Sequence, residues 1–153
     1  DLPVVEKAFP VLREYGVEFE AHVFSAHRSP DQVRGFVSSA RNNGFGVIIA
    51  AAGMAAHLAG SVAAHTTLPV IGIPVKSAVL DGMDALLATV QMPPGMPVAT
   101  VAVDGAYNAA LLAVQILGVE DPAIAHKLSA ARTAMTQKEV AKDASLQAKL
   151  AAE

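Results

Sequence analysis

Three short segments without a single charge constrain this chain more than any other feature: Val47 to Ala51, Leu68 to Ile73 and Val98 to Val103. Each is too short for a buried helix and lacks the alternation of a half-exposed strand. The first two therefore read as strands covered on both faces, as in a parallel sheet, and the third as a further strand. Helical patterns follow them at Met54 to Thr66, Leu80 to Val90 and Ala106 to Leu117, the last apolar on nearly every side. Pro74 is expected to end the second strand, and Gln91 to Pro97 reads as a rigid turn.

The flanks follow the same rhythm. Asp1 to Tyr15 predicts a helix, with Asp1 as N-cap, Pro3 in the first turn, a kink at Pro10 and a stop at Gly16. Val17 to Phe24 predicts a strand, because Val17, Phe19, Ala21 and Val23 alternate with Glu18, Glu20 and His22. Asp31 to Asn43 is a second helix ended by Gly44, and a long last helix runs from Asp121 to Glu153. The order α-β-α-β-α-β-α-β-α-α is that of a doubly wound α/β domain with a parallel sheet. An α/β chain that opens on a helix lacks its leading strand, so a strand and its loop are expected upstream of Asp1.

Composition narrows the function classes. The 153 residues suit one domain, and 53% apolar against 16% charged residues excludes disorder. A net charge of −3 argues against a nucleic-acid binder, and 5% aromatics without tryptophan give no platform for stacked bases. With no cysteine there is no disulfide, thiolate nucleophile or cysteine-ligated metal. No apolar run reaches the roughly 18 residues that span a bilayer, and no signal peptide is evident. A mean hydropathy of +0.42 exceeds what one small domain easily hides, which points to buried interfaces between subunits.

Ligands of open α/β sheets bind at the carboxyl ends of the strands. Three unusual segments fall there: Ser25 to Pro30, Ala50 to Gly60 and Pro74 to Gly82. In the first, His27 can move a proton, while Arg28 offers a rigid fork of donors for a phosphate or carboxylate. Ser25 and Ser29 add hydroxyls. The same hexapeptide also serves as a plain helix start, with Ser29 or Asp31 as cap. In the second, Gly53 permits close backbone approach and the helix start favours an anion, although close helix–sheet packing explains the small residues equally well. His57 either orients a ligand or caps the turn. His22, His65 and His126 fit structural roles, and no histidine pair or carboxylate cluster has metal-ligand spacing. Ser77 and Asp81 lack a nucleophile elbow.

Five motifs in one order carry a resemblance across the whole chain. They are Ser25-Ala26-His27-Arg28-Ser29-Pro30, Gly53-Met54-Ala55-Ala56-His57-Leu58, Gly72-Ile73-Pro74-Val75, Gln91 to Val98, and Asn108 to Ala113. Together they resemble the PurE family of purine biosynthesis in its class I form. The resemblance implies a flavodoxin-like three-layer α/β/α fold, a homo-octamer with active sites between subunits, and a cytoplasmic enzyme without metal or organic cofactor. It implies N5-carboxyaminoimidazole ribonucleotide mutase activity, which moves a carboxylate from the exocyclic nitrogen to carbon 4 through trapped CO2. His27 then corresponds to the family's general acid and base. Ser25 and Arg28 fall on its phosphate side, Ala26 is a further substrate-binding residue, and Gly53, Met54, Ala55, His57 and Leu58 fall on its CO2 pocket. Asp1 matches the Asp of the family's Gly-Ser-x-Ser-Asp loop, whose other residues this sequence does not contain. Ala51, Ala59, Ala85 and Ala88 replace a common Gly, Pro and two serines. Residues 121–153 form an extension expected to pack on a neighbouring subunit. The competing readings are direct carboxylation of aminoimidazole ribonucleotide by CO2, and a non-catalytic flavodoxin-like nucleotide-binding module.

Overall fold

The computed structural model describes residues 1–152. Three parallel strands form one sheet in the order β1-β2-β3: β1 (Ile48–Gly53), β2 (Val70–Val75) and β3 (Ala99–Thr100). β1 and β2 pair in register from Ile48↔Val70 to Gly53↔Val75. β3 adds two rungs, Ile71↔Ala99 and Gly72↔Thr100.

Side-chain alternation along β2 builds the two outer layers. Ile71 and Ile73 face a core shared with α2 (Phe9–Tyr15) and α6 (Ala106–Leu117), where Ala106, Ala109, Ala110 and Val114 are buried. Val70 faces the other core, with Ile48 and Ala50, under α3 (Pro30–Ala40) and α4 (Leu58–Ala63). α5 (Met83–Val90) closes down on the same face over Gly72. A Cβ at Gly72 would lie 2.4 Å from Thr89 Cγ2 and 3.2 Å from Ala59 Cβ, so this helix–sheet approach requires glycine. The result is a parallel sheet with helices on both faces, the architecture read from the sequence.

Local departures have physical causes. The first helix is broken as Pro10 demands: α1 (Leu2–Val5) and α2 are joined by a 3-10 turn, Glu6–Ala8. Pro10 has no N–H for the Glu6 carbonyl, which takes the Phe9 N–H in a tighter bond instead. Val17 to Phe24 is extended but belongs to no strand ladder among the described residues. Its alternating apolar residues do not share one buried face: Phe19 stacks on Phe9 at 4.9 Å, whereas Val23 is 86% exposed.

Pro74 does not end β2 but lies within it, fully buried. Its carbonyl accepts from Asp104 N at 2.9 Å, so its nitrogen faces the β3 side, beyond the last β3 rung. No ladder donor is missing there. β3 is correspondingly shorter than Val98 to Val103, because the chain leaves the ladder after Thr100. The helix expected from Met54 begins only at Leu58, after a left-handed Met54 (φ 52°). The segment from Leu80 is a 3-10 turn with left-handed residues, and regular helix starts at Met83.

α7 (Pro122–Leu150) is capped as the sequence predicts, Asp121 Oδ1 accepting from Ala123 N at 2.8 Å and Ile124 N at 3.2 Å. The expected last residue, Glu153, lies outside the described residues. Ile124, Leu128 and Ala131 pack partly buried on the first core, and Lys127 Nζ donates to the Tyr15 carbonyl. From Arg132 to Ala152 every residue is exposed.

Candidate active site

The segment after Phe24 is held in shape by its own serines. Ser25 N donates to Ser29 Oγ at 2.7 Å, Ser29 Oγ donates to Ser25 O at 3.2 Å, and Ser29 N donates to the same carbonyl at 2.9 Å. Ser25 Oγ accepts from Arg28 N at 3.2 Å. Ser29 therefore occupies the N-cap position of α3 with its hydroxyl turned back into the loop, and it makes no side-chain cap bond. The clasp presents Ala26, His27 and Arg28 at its tip, with His27 and Arg28 exposed.

The end of β1 supplies the opposite wall. A Cβ at Gly53 would lie 3.1 Å from the Val75 carbonyl and 3.9 Å from Asp1 Oδ1. A side chain there would crowd the neighbouring strand, and the Asp1 carboxylate sits over the same point. The chain then turns through left-handed Met54 and exposed Ala55, buries Ala56, and places His57 at the N-cap of α4, followed by half-buried Leu58.

The two walls meet at the histidines. His27 Nε2 lies 2.8 Å from His57 Nδ1, with the rings edge to face at 4.9 Å between centroids. At that separation one proton lies between the two facing nitrogens, so one histidine donates and the other accepts. His57 Nε2 and His27 Nδ1 remain for other partners. Gly53, Met54, Ala55, His57 and Leu58 thus lie on one turn, with Asp1 above it. Arg28 is joined to the pair through its neighbour His27, and among the described residues its guanidinium makes no hydrogen bond or ion pair.

The third strand-end segment, Pro74 to Gly82, forms part of the rim, through a residue that the sequence analysis does not single out, Lys76. Lys76, one residue beyond the Gly53↔Val75 rung, forms an ion pair through Nζ with Asp81 Oδ1 at 2.6 Å. Its backbone N–H donates to Asp104 Oδ1 at 2.9 Å. The hydrogen bond and charge of Asp81 hold the Lys76 ammonium above its usual range. Among the described residues, every non-glycine residue with positive φ follows the carboxyl end of a strand: Met54, Leu80, Asp81 and Asp104. Asp84, in the first turn of α5, buries one carboxylate oxygen without a hydrogen-bond partner. The sequence signal available was Lys76 itself, a cation directly after a buried strand.

The remaining histidines take structural places. His65 Nδ1 donates to the Ser61 carbonyl at 2.7 Å near the end of α4, where a cation is favourable. His22 meets Glu20 at 3.2 Å and stacks on Phe24, and His126 is exposed on α7. Among the described residues no three histidines or carboxylates are grouped to hold a metal ion, and no helix is long and apolar enough to cross a membrane. A groove of about 980 Å³ at the opposite pole, lined by Arg34, Arg41, His65 and Met96, lies away from the histidine pair.

Comparison with known proteins bears on this geometry. The model of the family described as AIR carboxylase matches residues 1–138. A Pyrococcus abyssi protein named N5-carboxyaminoimidazole ribonucleotide mutase is 53% identical over 135 residues, 88% of this chain and 78% of that one. A Saccharomyces cerevisiae protein named phosphoribosylaminoimidazole carboxylase is 53% identical over 128 residues, 84% of this chain and 22% of that one. The crystal structure of Treponema denticola PurE superposes with a TM-score of 0.85 at 27% identity, covering 95% of this chain and 91% of that one.

Proposed function

The chain belongs to the AIR carboxylase family, the PurE proteins, and on that premise we propose that it is an N5-carboxyaminoimidazole ribonucleotide mutase of purine biosynthesis, an isomerase. The observation that carries the reading is the contact of His27 Nε2 with His57 Nδ1 at 2.8 Å, at the carboxyl ends of the strands.

The reaction breaks the bond from the exocyclic nitrogen to the carboxyl carbon and forms one from ring carbon 4 to the same carbon. One proton goes onto the nitrogen and one leaves carbon 4, so a single group that gives and then takes a proton suffices. His27 Nδ1 faces this task while Nε2 is engaged. When His57 Nδ1 donates to His27 Nε2, a neutral His27 carries its proton on Nδ1 and is an acid. When the shared proton sits on His27 Nε2, Nδ1 has a lone pair and is a base. His57, exposed at its other nitrogen, exchanges protons with water and links the two forms.

Arg28 and Ser25 are assigned to the substrate phosphate. The turn from Gly53 through Met54 and Ala55 to Leu58 is assigned to the CO2 pocket, and Asp1 to the ribose-phosphate side. Ala26 is assigned to the backbone contact at the loop tip. The reading calls for no metal or organic cofactor.

It extends to an octamer with active sites between subunits. Leu80, Met83, Leu87 and Val90 support this, because they are exposed on one stripe beside the rim. A phosphorylated substrate that does not cross membranes unaided supports a cytoplasmic place.

An ultraviolet assay of conversion between the N-carboxylated and C4-carboxylated ribonucleotides tests the reading. Turnover that His27→Asn abolishes is expected. A folded sample without it, which instead carboxylates aminoimidazole ribonucleotide from CO2, would make the enzyme a direct carboxylase, the reading that the yeast relative's name favours.

A further inference from the structure

The ion pair of Lys76 with Asp81 has no structural explanation. Both side chains are open to water, at 55% and 79% exposure, and such a pair adds next to nothing to stability. Yet Asp81 is brought to it by two successive left-handed non-glycine residues, Leu80 (φ 52°) and Asp81 (φ 55°), a standing cost. Gly82 (φ 94°) completes the turn, and a Cβ on it would approach Lys76 Cα to 3.3 Å. The Lys76 backbone is fixed from the other side by Asp104, also left-handed at φ 56°. Three strained residues from two strand-end segments thus converge on one lysine.

Its position is close to the chemistry. Val75 pairs with Gly53, and Lys76 follows immediately. Gly72 and Pro74 face the α4 and α5 side of the sheet, and the alternation of β2 sends Lys76 the same way. That is the side on which α4 carries His57. Arg28 stands on the opposite wall, so the site has a cation on each flank.

We propose that Lys76 is a substrate-binding residue, which takes an anionic group of the ribonucleotide by exchanging its Asp81 partner for it. Asp81 is then a positioning residue that holds the ammonium at the rim and competes with substrate for it. The inference rests on the mutase reading for the identity of the ligand.

The competition gives a sign test. Lys76→Met is expected to raise KM roughly tenfold, with the effect on KM rather than kcat, and Lys76→Arg to restore most of it. Asp81→Asn, which frees the ammonium, is expected to lower KM about twofold to threefold. A merely structural pair moves both variants the same way, with raised KM and a lowered thermal midpoint, and that result overturns the proposal.

Calorimetric binding of aminoimidazole ribonucleotide, which lacks the carboxylate, locates the contact. A weakened affinity in Lys76→Met places it at the phosphate, and an unchanged affinity beside a raised KM places it at the carboxylate. Absence of wild-type turnover would remove the mutase reading alone. The calorimetric comparison, repeated with the C4-carboxylated ribonucleotide, would then decide for Lys76, and equal affinities of wild type and Lys76→Met for both ligands would end the proposal.

Discussion

Nε2 of His27 and Nδ1 of His57 share one proton across 2.8 Å, although the residues stand 30 positions apart on separate elements. Two protons cannot occupy that gap, so the pair acts as one unit with an outward nitrogen on each ring. His27→Asn is expected to lower kcat by at least about a hundredfold while substrate still binds, the scale of a lost general acid and base. His57→Asn, which removes the relay but leaves His27, is expected to cost less. Equal losses in initial-rate kinetics would make the two histidines equivalent and refute the division of roles.

Arg28 is exposed and its guanidinium is unpaired among the described residues, so its removal costs the fold little. Arg28→Ala is expected to weaken substrate binding by about 2 kcal/mol, the worth of one charge-assisted contact. Unchanged affinity by calorimetry takes Arg28 out of the phosphate site.

Gly72 is the point where α5 and α4 press on the sheet. Gly72→Val is expected to destabilise by about 2 kcal/mol or more, because Thr89 and Ala59 occupy the space. A denaturation midpoint equal to wild type would show that the helices can retreat.

Burial holds the Tyr15 phenol above its usual range, reinforced by Glu14 and Tyr107 and opposed by Arg132. A native value above the unfolded one favours the protonated form. That contribution is full below the unfolded value of 10.0 and is lost as pH rises through the native value. Tyr15→Phe should therefore lose less stability than wild type between pH 8 and 11 in urea titrations, and parallel curves would contradict this.

α7 presents Met135, Val140, Leu146 and Leu150 to solvent beyond its last packed residue, Ala131. Deleting the chain after Leu128 is expected to lower the mass measured by light scattering, since those side chains then have no neighbour to meet. An unchanged mass would assign assembly to other surfaces, with the stripe on α5 the first to try.

The layers and the two walls of the site were legible because each rests on a local pattern. The charge-free run Leu68 to Ile73 marks the strand that is buried throughout, β2, whereas in Val98 to Val103 the same absence of charge leaves Ala99 and Ala102 exposed at the edge. Ser25 to Pro30 and Gly53 to Leu58 stood out because polar or small residues follow a strand. The missed features depend on partners that are remote in sequence. Val17 to Phe24 alternates like a strand, but pairing needs a neighbour, and here Phe19 meets Phe9 while Val23 stays exposed. Pro74 reads as a breaker until the register shows that its nitrogen faces past the end of β3. Lys76 looks like an ordinary surface lysine until Asp81, farther along its own loop, is found at its head and Asp104, from another loop, at its backbone.

Pro74 also bears on how the domain tolerates change. An alanine there would carry an N–H into a fully buried position beyond the last β3 rung, a demand for an acceptor that the imino acid never makes. The residue usually regarded as hostile to sheets is the least demanding occupant of this one. Random mutagenesis should therefore recover few replacements at 74, although the proline touches no reacting atom, and its invariance in such a library would report on hydrogen-bond accounting rather than on catalysis.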